Sequence, residues 1–292
     1  MVGPERPQFV LFGSSIVQLS FSNEGWGSIL ADIYARKDKI QIILKRWFLI
    51  QIIFDRQTYF CEDTLVGIQG VAYKYLNKFF PRNLIWGLFC FLAKDFQILE
   101  ASVQPALVIV YFGGNDSMHP HPSGIGPHVP LPEYIENMRK IALHLKSLSP
   151  TTRIIFLSSP PINEQQIKET LSGKFGKVNR TNEDCRVYSE ACLQLCQEMD
   201  VNCIDLWTAL QQRDDWLTTC FTDGIHFSPE GSKIVVKEIL KVLREAEWEP
   251  SLHWKSLSTE FSEDSLYDPI GPDAKTTINV SDMDVERHMQ WE

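Results

Sequence analysis

"ALVIVYFGGND", residues 106–116, is a run of apolar residues that stops abruptly at two glycines. A strand apolar at every position, instead of at alternate ones, is covered by helices on both faces, as in a parallel α/β sheet. Its surroundings agree. "QFVLFG" (8–13), "TRIIFLSSPP" (152–161) and "VNCIDLW" (201–207) read as further strands. Between them the period switches to that of helices. "WGSILADIYARK" (26–37) sets Ile29, Leu30, Ile33 and Tyr34 on one face. "LPEYIENMRKIALHLKSL" (131–148) has Pro and acids early, bases late, and an apolar stripe through Ile135, Met138, Ile141, Ala142 and Leu145. "TNEDCRVYSEACLQLCQEMD" (181–200) starts at a candidate cap, Thr181 or Asn182, with Val187, Ala191 and Leu195 inward. "SPEGSKIVVKEILKVLREAE" (228–247) carries Ser228 as cap with Pro229 at its first position. Strands alternating with helices predict an α/β domain over roughly 8–247 with a mostly parallel sheet.

With 28 basic and 37 acidic residues the net charge is −9, and no Lys/Arg block exceeds a pair. The footprint of a nucleic-acid binder is missing. From about Pro250 the chain carries nine acids against three bases and loses all periodicity, so 250–292 reads as an acidic, disordered tail. The seven cysteines, spread from Cys61 to Cys220, lack the density of a disulfide scaffold. Reduced thiols and the Pro- and charge-bearing start "MVGPERPQ" predict a cytoplasmic protein without a secretory leader.

Residues 40–100 are harder to read. "IQIILKRWFLIQIIF" (40–54) is interrupted by Lys45 and Arg46, and "LIWGLFCFL" (84–92) is short. Both fall below the roughly 20 apolar residues that span a bilayer. They read as strand-like pieces, and their local signals disagree with one another.

Three strand ends carry chemistry. In "CFTDGIHFSPEG" (220–231), Asp223 lies three residues from His226, close enough to bond Nδ1 and leave Nε2 to accept a proton. The alternative is a capping turn with an exposed His. Ser14 and Ser15 follow the first strand, at the edge where α/β sheets bind ligands. A hydroxyl there needs a base that is itself oriented by a third group, and Asp223/His226 is a pair in a similar loop. Otherwise the serines cap the next segment. In "YFGGNDS" (111–117), the Asn115 amide is a candidate oxyanion donor, against the alternative of an ordinary Gly-Gly-Asn turn.

"FGSSI", "GGND" and "DGIH" together resemble blocks of the SGNH, or GDSL, esterase/lipase superfamily. "GGNDSMHPHPSGIGPHVPLPEYIENMRKIALHLKSLSP" and "TRIIFLSSPPINE" are similar to its plant members related to isoamyl acetate-hydrolysing esterase. The resemblance covers 8–37 and 100–245, about 60% of the chain. It implies a three-layer flavodoxin-like sandwich, hydrolysis of carboxylic esters (small acyl esters or lipids), and no cofactor. Ser15 becomes the nucleophile, His226 the general base and Asp223 its orienting partner. The Ser15 N–H and the Asn115 amide become oxyanion donors.

Two positions depart from the family pattern. Ser14 stands where an aspartate is usual. The second block, which supplies a glycine N–H, falls in the unsettled stretch: "KIQIILKRW" (39–47) resembles the strand before it and "VAYKYLNKFFP" (71–81) the helix after it. Gly70 in "GIQG" (67–70) is the candidate donor, and 48–70 and 83–99 read as insertions, either genuine or translated non-coding sequence. A catalytically impaired SGNH-fold protein is therefore the alternative expectation. A nucleotide-binding module is the third, although no GxGxxG or GxxxxGK[ST] is present. Cys185, Cys192 and Cys196 read as buried free thiols, and His119, His121 and His128 as part of a surface or substrate-covering loop, so no metal site is expected.

Overall fold

The strand that follows the N-terminal segment, β1 (Gln8–Gly13), lies between two parallel partners. It pairs with β2 (Gln41–Lys45) on one side and with β3 (Leu107–Tyr111) on the other. Beyond β3 come β4 (Arg153–Leu157) and β5 (Asn202–Ile204), giving a parallel sheet of order β2-β1-β3-β4-β5. This computed structural model describes residues 8–22, 24–35, 41–45, 104–120, 127–171, 180–257 and 291. The possible insertions at 48–70 and 83–99, including Gly70, lie outside the described residues.

The strand order is the flavodoxin-like one, in which the chain reverses direction of growth between β1 and β3. Register matters more than order here. Gly13 pairs with Tyr111, so β1 and β3 end side by side. The loops after them, one bearing Ser14 and Ser15 and the other Gly113–Asn115, therefore open at the same edge, the switch-point crevice of such sheets.

The helices are α1 (Ser15–Gln18), α2 (Trp26–Ile33), α3 (Leu131–Leu148), α4 (Glu164–Leu171), α5 (Asn182–Met199), α6 (Leu206–Gln211), α7 (Trp216–Thr219) and α8 (Pro229–Glu245). They sort onto the two faces of the sheet by the period-two alternation of the strands. Phe9, Leu11, Leu107, Ile109, Tyr111, Ile155 and Leu157 pack with α1, α2, α6 and α8. Val10, Val108, Val110, Ile154 and Phe156 pack with α3 and α5. All five residues of β3 are buried, as its unbroken apolar run requires. Each such side chain contributes about 1.5–3 kcal/mol on burial, so the central strands dominate the core.

Helix starts follow their caps. The Thr181 hydroxyl accepts from the Asp184 N–H (3.1 Å), and the Asp184 carboxylate accepts from the Thr181 N–H (3.2 Å), a reciprocal box that opens α5. Ser228 Oγ accepts from the Gly231 N–H (3.2 Å) at the start of α8, with Pro229 at the first helical position. Among the described residues, no helix is long and apolar enough to cross a membrane.

The expectation of disorder from residue 250 is corrected for its first residues. Leu252 and Trp254 are buried in the same cluster as α2 and α8, a short 3₁₀ turn spans Trp254–Ser256, and Trp291 joins the cluster. The Tyr34 hydroxyl donates to the Leu252 carbonyl (2.9 Å). Net charge misled the reading there, because a few large apolar residues suffice to dock an otherwise polar segment.

Candidate active site

The turn after β1 places two serines differently. Ser14 is the N-cap of α1: its carbonyl accepts from the Gln18 N–H (2.9 Å) and its own N–H donates to the Tyr111 carbonyl (3.3 Å), tying the turn to β3. Its hydroxyl makes no capping bond. Ser15 is the first residue of α1, so its backbone N–H belongs to the donors that a helix start leaves unsatisfied.

The Ser15 Oγ meets a side chain from the far end of the sequence. His226 Nε2 lies 2.9 Å from it, although the two residues are 211 positions apart. On the other side of the ring, His226 Nδ1 is 2.6 Å from Asp223 Oδ2. Asp223 Oδ1 accepts from the N–H groups of Ile225 (2.9 Å) and His226 (2.8 Å). Burial pushes the Asp223 carboxyl up, but the hydrogen bond and charge of His226 and these two backbone donors outweigh it. The carboxyl is held below its ordinary value and stays ionised at neutral pH. An ionised Asp223 holds the proton on Nδ1, which leaves Nε2 as the acceptor facing Ser15. Both side chains of the relay are reachable: those of His226 and Asp223 are 20% and 25% exposed.

The Asp223–His226 loop is built to keep that geometry. Phe221 and Phe227 close it as an antiparallel bridge, and the Thr222 N–H donates to the His226 carbonyl (2.9 Å). Gly224 adopts φ +90°, and a Cβ there would meet the Asn163 carbonyl oxygen at 2.6 Å. That closeness reflects a bond, since the Asn163 N–H donates to the Gly224 carbonyl (2.9 Å). Asn163 is also fixed, its amide donating to the Leu217 carbonyl (2.7 Å). The sequence reading did not single out Asn163, because its partner lies in a distant segment.

At the end of β3, Gly113 takes φ +117° and donates its N–H to Asp116 Oδ2 (3.0 Å). Burial raises Asp116 to about 6, against the opposing pull of the Gly113 N–H, Arg180 and His128. Asn115, half-buried, accepts through Oδ1 from an Arg180 guanidinium N–H (3.1 Å). The amide oxygen is thus occupied, and Nδ2 is the end left to donate elsewhere. Arg180 was not singled out in the sequence; the signal present was its position directly before the Thr181 cap.

Of the histidine loop, His119 pairs with Asp184 (2.7 Å) and His128 Nδ1 lies 3.1 Å from the Asp116 carbonyl, while His121 falls outside the described residues. Cys185, Cys192 and Cys196 are free and buried. The fold adds Cys203 to the last two, bringing three Sγ atoms within 4.8 Å of one another between α5 and β5.

The sequence model of the GDSL-like lipase/acylhydrolase family matches residues 9–239, a span that begins at β1 and ends within α8. The chain belongs to that family. Among relatives of this GDSL-family protein, the GDSL esterase/lipase WDL1 of Oryza sativa subsp. japonica is 52% identical over 290 residues, covering 99% of this chain and 97% of the relative. The GDSL esterase/lipase CPRD49 of Arabidopsis thaliana is 50% identical over 292 residues and is matched over 100% of both chains. The isoamyl acetate-hydrolyzing esterase 1 homolog of Mus musculus is 29% identical over 240 residues, or 81% of each chain. Among solved structures, the acetylxylan esterase from Geobacillus stearothermophilus superposes with a TM-score of 0.50 at 15% identity, over 81% of this chain and 94% of that one. At that identity the likeness speaks for the fold of the GDSL-family protein alone.

Proposed function

We propose that this protein hydrolyses carboxylic esters through an acyl-enzyme on Ser15. The observation that carries the reading is the continuous relay from Ser15 Oγ through His226 to Asp223. A serine hydroxyl is a weak nucleophile until a base takes its proton, and a base works best when a third group fixes its tautomer and stabilises its charged form.

In this account His226 Nε2 takes the Ser15 proton as Oγ attacks the ester carbonyl. Negative charge develops on the carbonyl oxygen, where the Ser15 N–H and Asn115 Nδ2 donate, with Gly70 assigned as a third donor. Asp223 balances the imidazolium. Collapse of the tetrahedral species breaks the ester C–O bond, and His226 returns its proton to the departing alcohol. Water then repeats the sequence on the acyl-enzyme, releasing the acid and restoring Ser15.

Small acyl esters are the substrate class proposed, in keeping with the name of the mammalian isoamyl acetate-hydrolyzing homologue. The test is turnover of p-nitrophenyl acetate and butyrate by the purified full chain. The expected result is wild-type hydrolysis with Ser15→Ala reduced to background. Equal rates for the two proteins would overturn the reading, and wild-type protein at background would favour the impaired alternative.

A further inference from the structure

Arg180 is an odd residue to find where it is. It is 6% exposed, it immediately precedes the capping box of α5, and its Nε has no hydrogen-bond partner among the described residues. An arginine buried with an unmet N–H costs stability, so holding the helix start together is a poor explanation of it. What the guanidinium does reach is Asn115, whose Oδ1 accepts from Nη2 at 3.1 Å across 65 positions of sequence.

We infer that Arg180 is a positioning residue for the oxyanion hole: it fixes the Asn115 amide so that Nδ2, and not Oδ1, faces the reacting carbonyl oxygen. This rests on the Ser15 reading above and extends it. An asparagine amide is nearly symmetric in shape, and its two ends have opposite chemistry. With Oδ1 toward the developing oxyanion, the residue repels what it should stabilise. A guanidinium has donors and no acceptor, so it bonds the oxygen end only and selects one of the two orientations. The bond is charge-assisted and part-buried, which strengthens it and polarises the amide toward better donation from Nδ2.

The surrounding loop supports the same purpose. Asp116 Oδ2 holds the Gly113 N–H at 3.0 Å, which fixes the backbone around Asn115, while Arg180 fixes its side chain. The arginine is itself set by the reciprocal Thr181 and Asp184 bonds that begin one residue later. One helix start is thereby coupled to the end of β3.

The test is a double-mutant cycle on p-nitrophenyl acetate with wild type, Asn115→Ala, Arg180→Gln and the double variant, alongside Ser15→Ala. Removing an oxyanion donor costs on the order of 10²–10³ in rate, and Arg180→Gln is expected to lose about 10–100-fold in kcat with KM changed less than about threefold. In the Asn115→Ala background the same substitution is expected to cost less than about threefold, since the group it positions is gone. Equal losses in both backgrounds, an unchanged kcat, or an effect confined to KM would overturn the inference. If Arg180→Gln does not fold, Arg180→Lys is read by the same criterion in both backgrounds, with partial retention of kcat expected. Activity surviving in Ser15→Ala would instead overturn the underlying hydrolase reading, so the two failures are distinct.

Discussion

At the scale of single residues, two carboxyls beside the site are pushed in opposite directions by similar surroundings. Both are penalised by burial, but Asp223 gains the His226 imidazole and two backbone N–H groups, whereas Asp116 has weaker compensation and rises to about 6. The unfolded chain releases the Asp116 proton near pH ~4. Between about 4 and 6 the native state therefore binds more protons than the unfolded state, and the stability contribution of this residue falls as pH rises. Above that window the penalty is constant. Asp116→Asn removes the titration, so the difference in unfolding free energy between wild type and variant, measured in urea at a series of pH values, is expected to change between pH ~4 and ~6 and level off above. A difference independent of pH would contradict the assignment.

At the scale of elements, the long helices were legible because their signals are local. The Pro, acid and base order of α3, and the caps of α5 and α8, sit within a few residues of the boundaries they set. The motifs were legible for the same reason: Ser15 and Asn115 stand next to the ends of β1 and β3, whereas the Asp223/His226 pair, expected at a strand end, lies between α7 and α8 and was legible from the Ser228–Pro229 helix start beside it. Asn163 and Arg180 were not, because each acts on a segment far away in sequence, and neither's own neighbourhood says which one. The Asn163 contact yields a prediction. Gly224→Ala forces a side chain into φ +90° and against the Asn163 carbonyl at 2.6 Å, with the Ile167 backbone nitrogen at 2.9 Å. Backbone cannot yield as a flexible side chain does, so a loss of roughly 1–3 kcal/mol in stability is expected from the strained conformation alone. Because the same loop carries both Asp223 and His226, kcat should fall with it. Unchanged melting temperature and turnover would show that the loop is not held as described.

At the scale of the whole molecule, the fold follows from which strands are apolar throughout, and the site from how their ends are aligned. The Gly13–Tyr111 register brings the β1 and β3 loops to one edge, and α8 carries the Asp223/His226 loop to the same place. Composition was a poor guide at the C-terminal side, where the acidic segment after Pro250 begins by packing Leu252 and Trp254 against α2 and α8. Trp254 is among the largest fully buried side chains. Trp254→Ala is accordingly expected to cost about 3–5 kcal/mol in denaturant unfolding, and a cost near zero would mean that this segment does not dock.

Every step of the proposed hydrolysis requires Ser15 to be an activated nucleophile. A fluorophosphonate probe reacts with a serine only when its hydroxyl is activated, and peptide mapping identifies the modified residue. The expected result is single labelling of the full chain at Ser15, lost in Ser15→Ala and strongly slowed in His226→Ala. Labelling at another serine, or wild-type protein that remains unlabelled while folded, would contradict it.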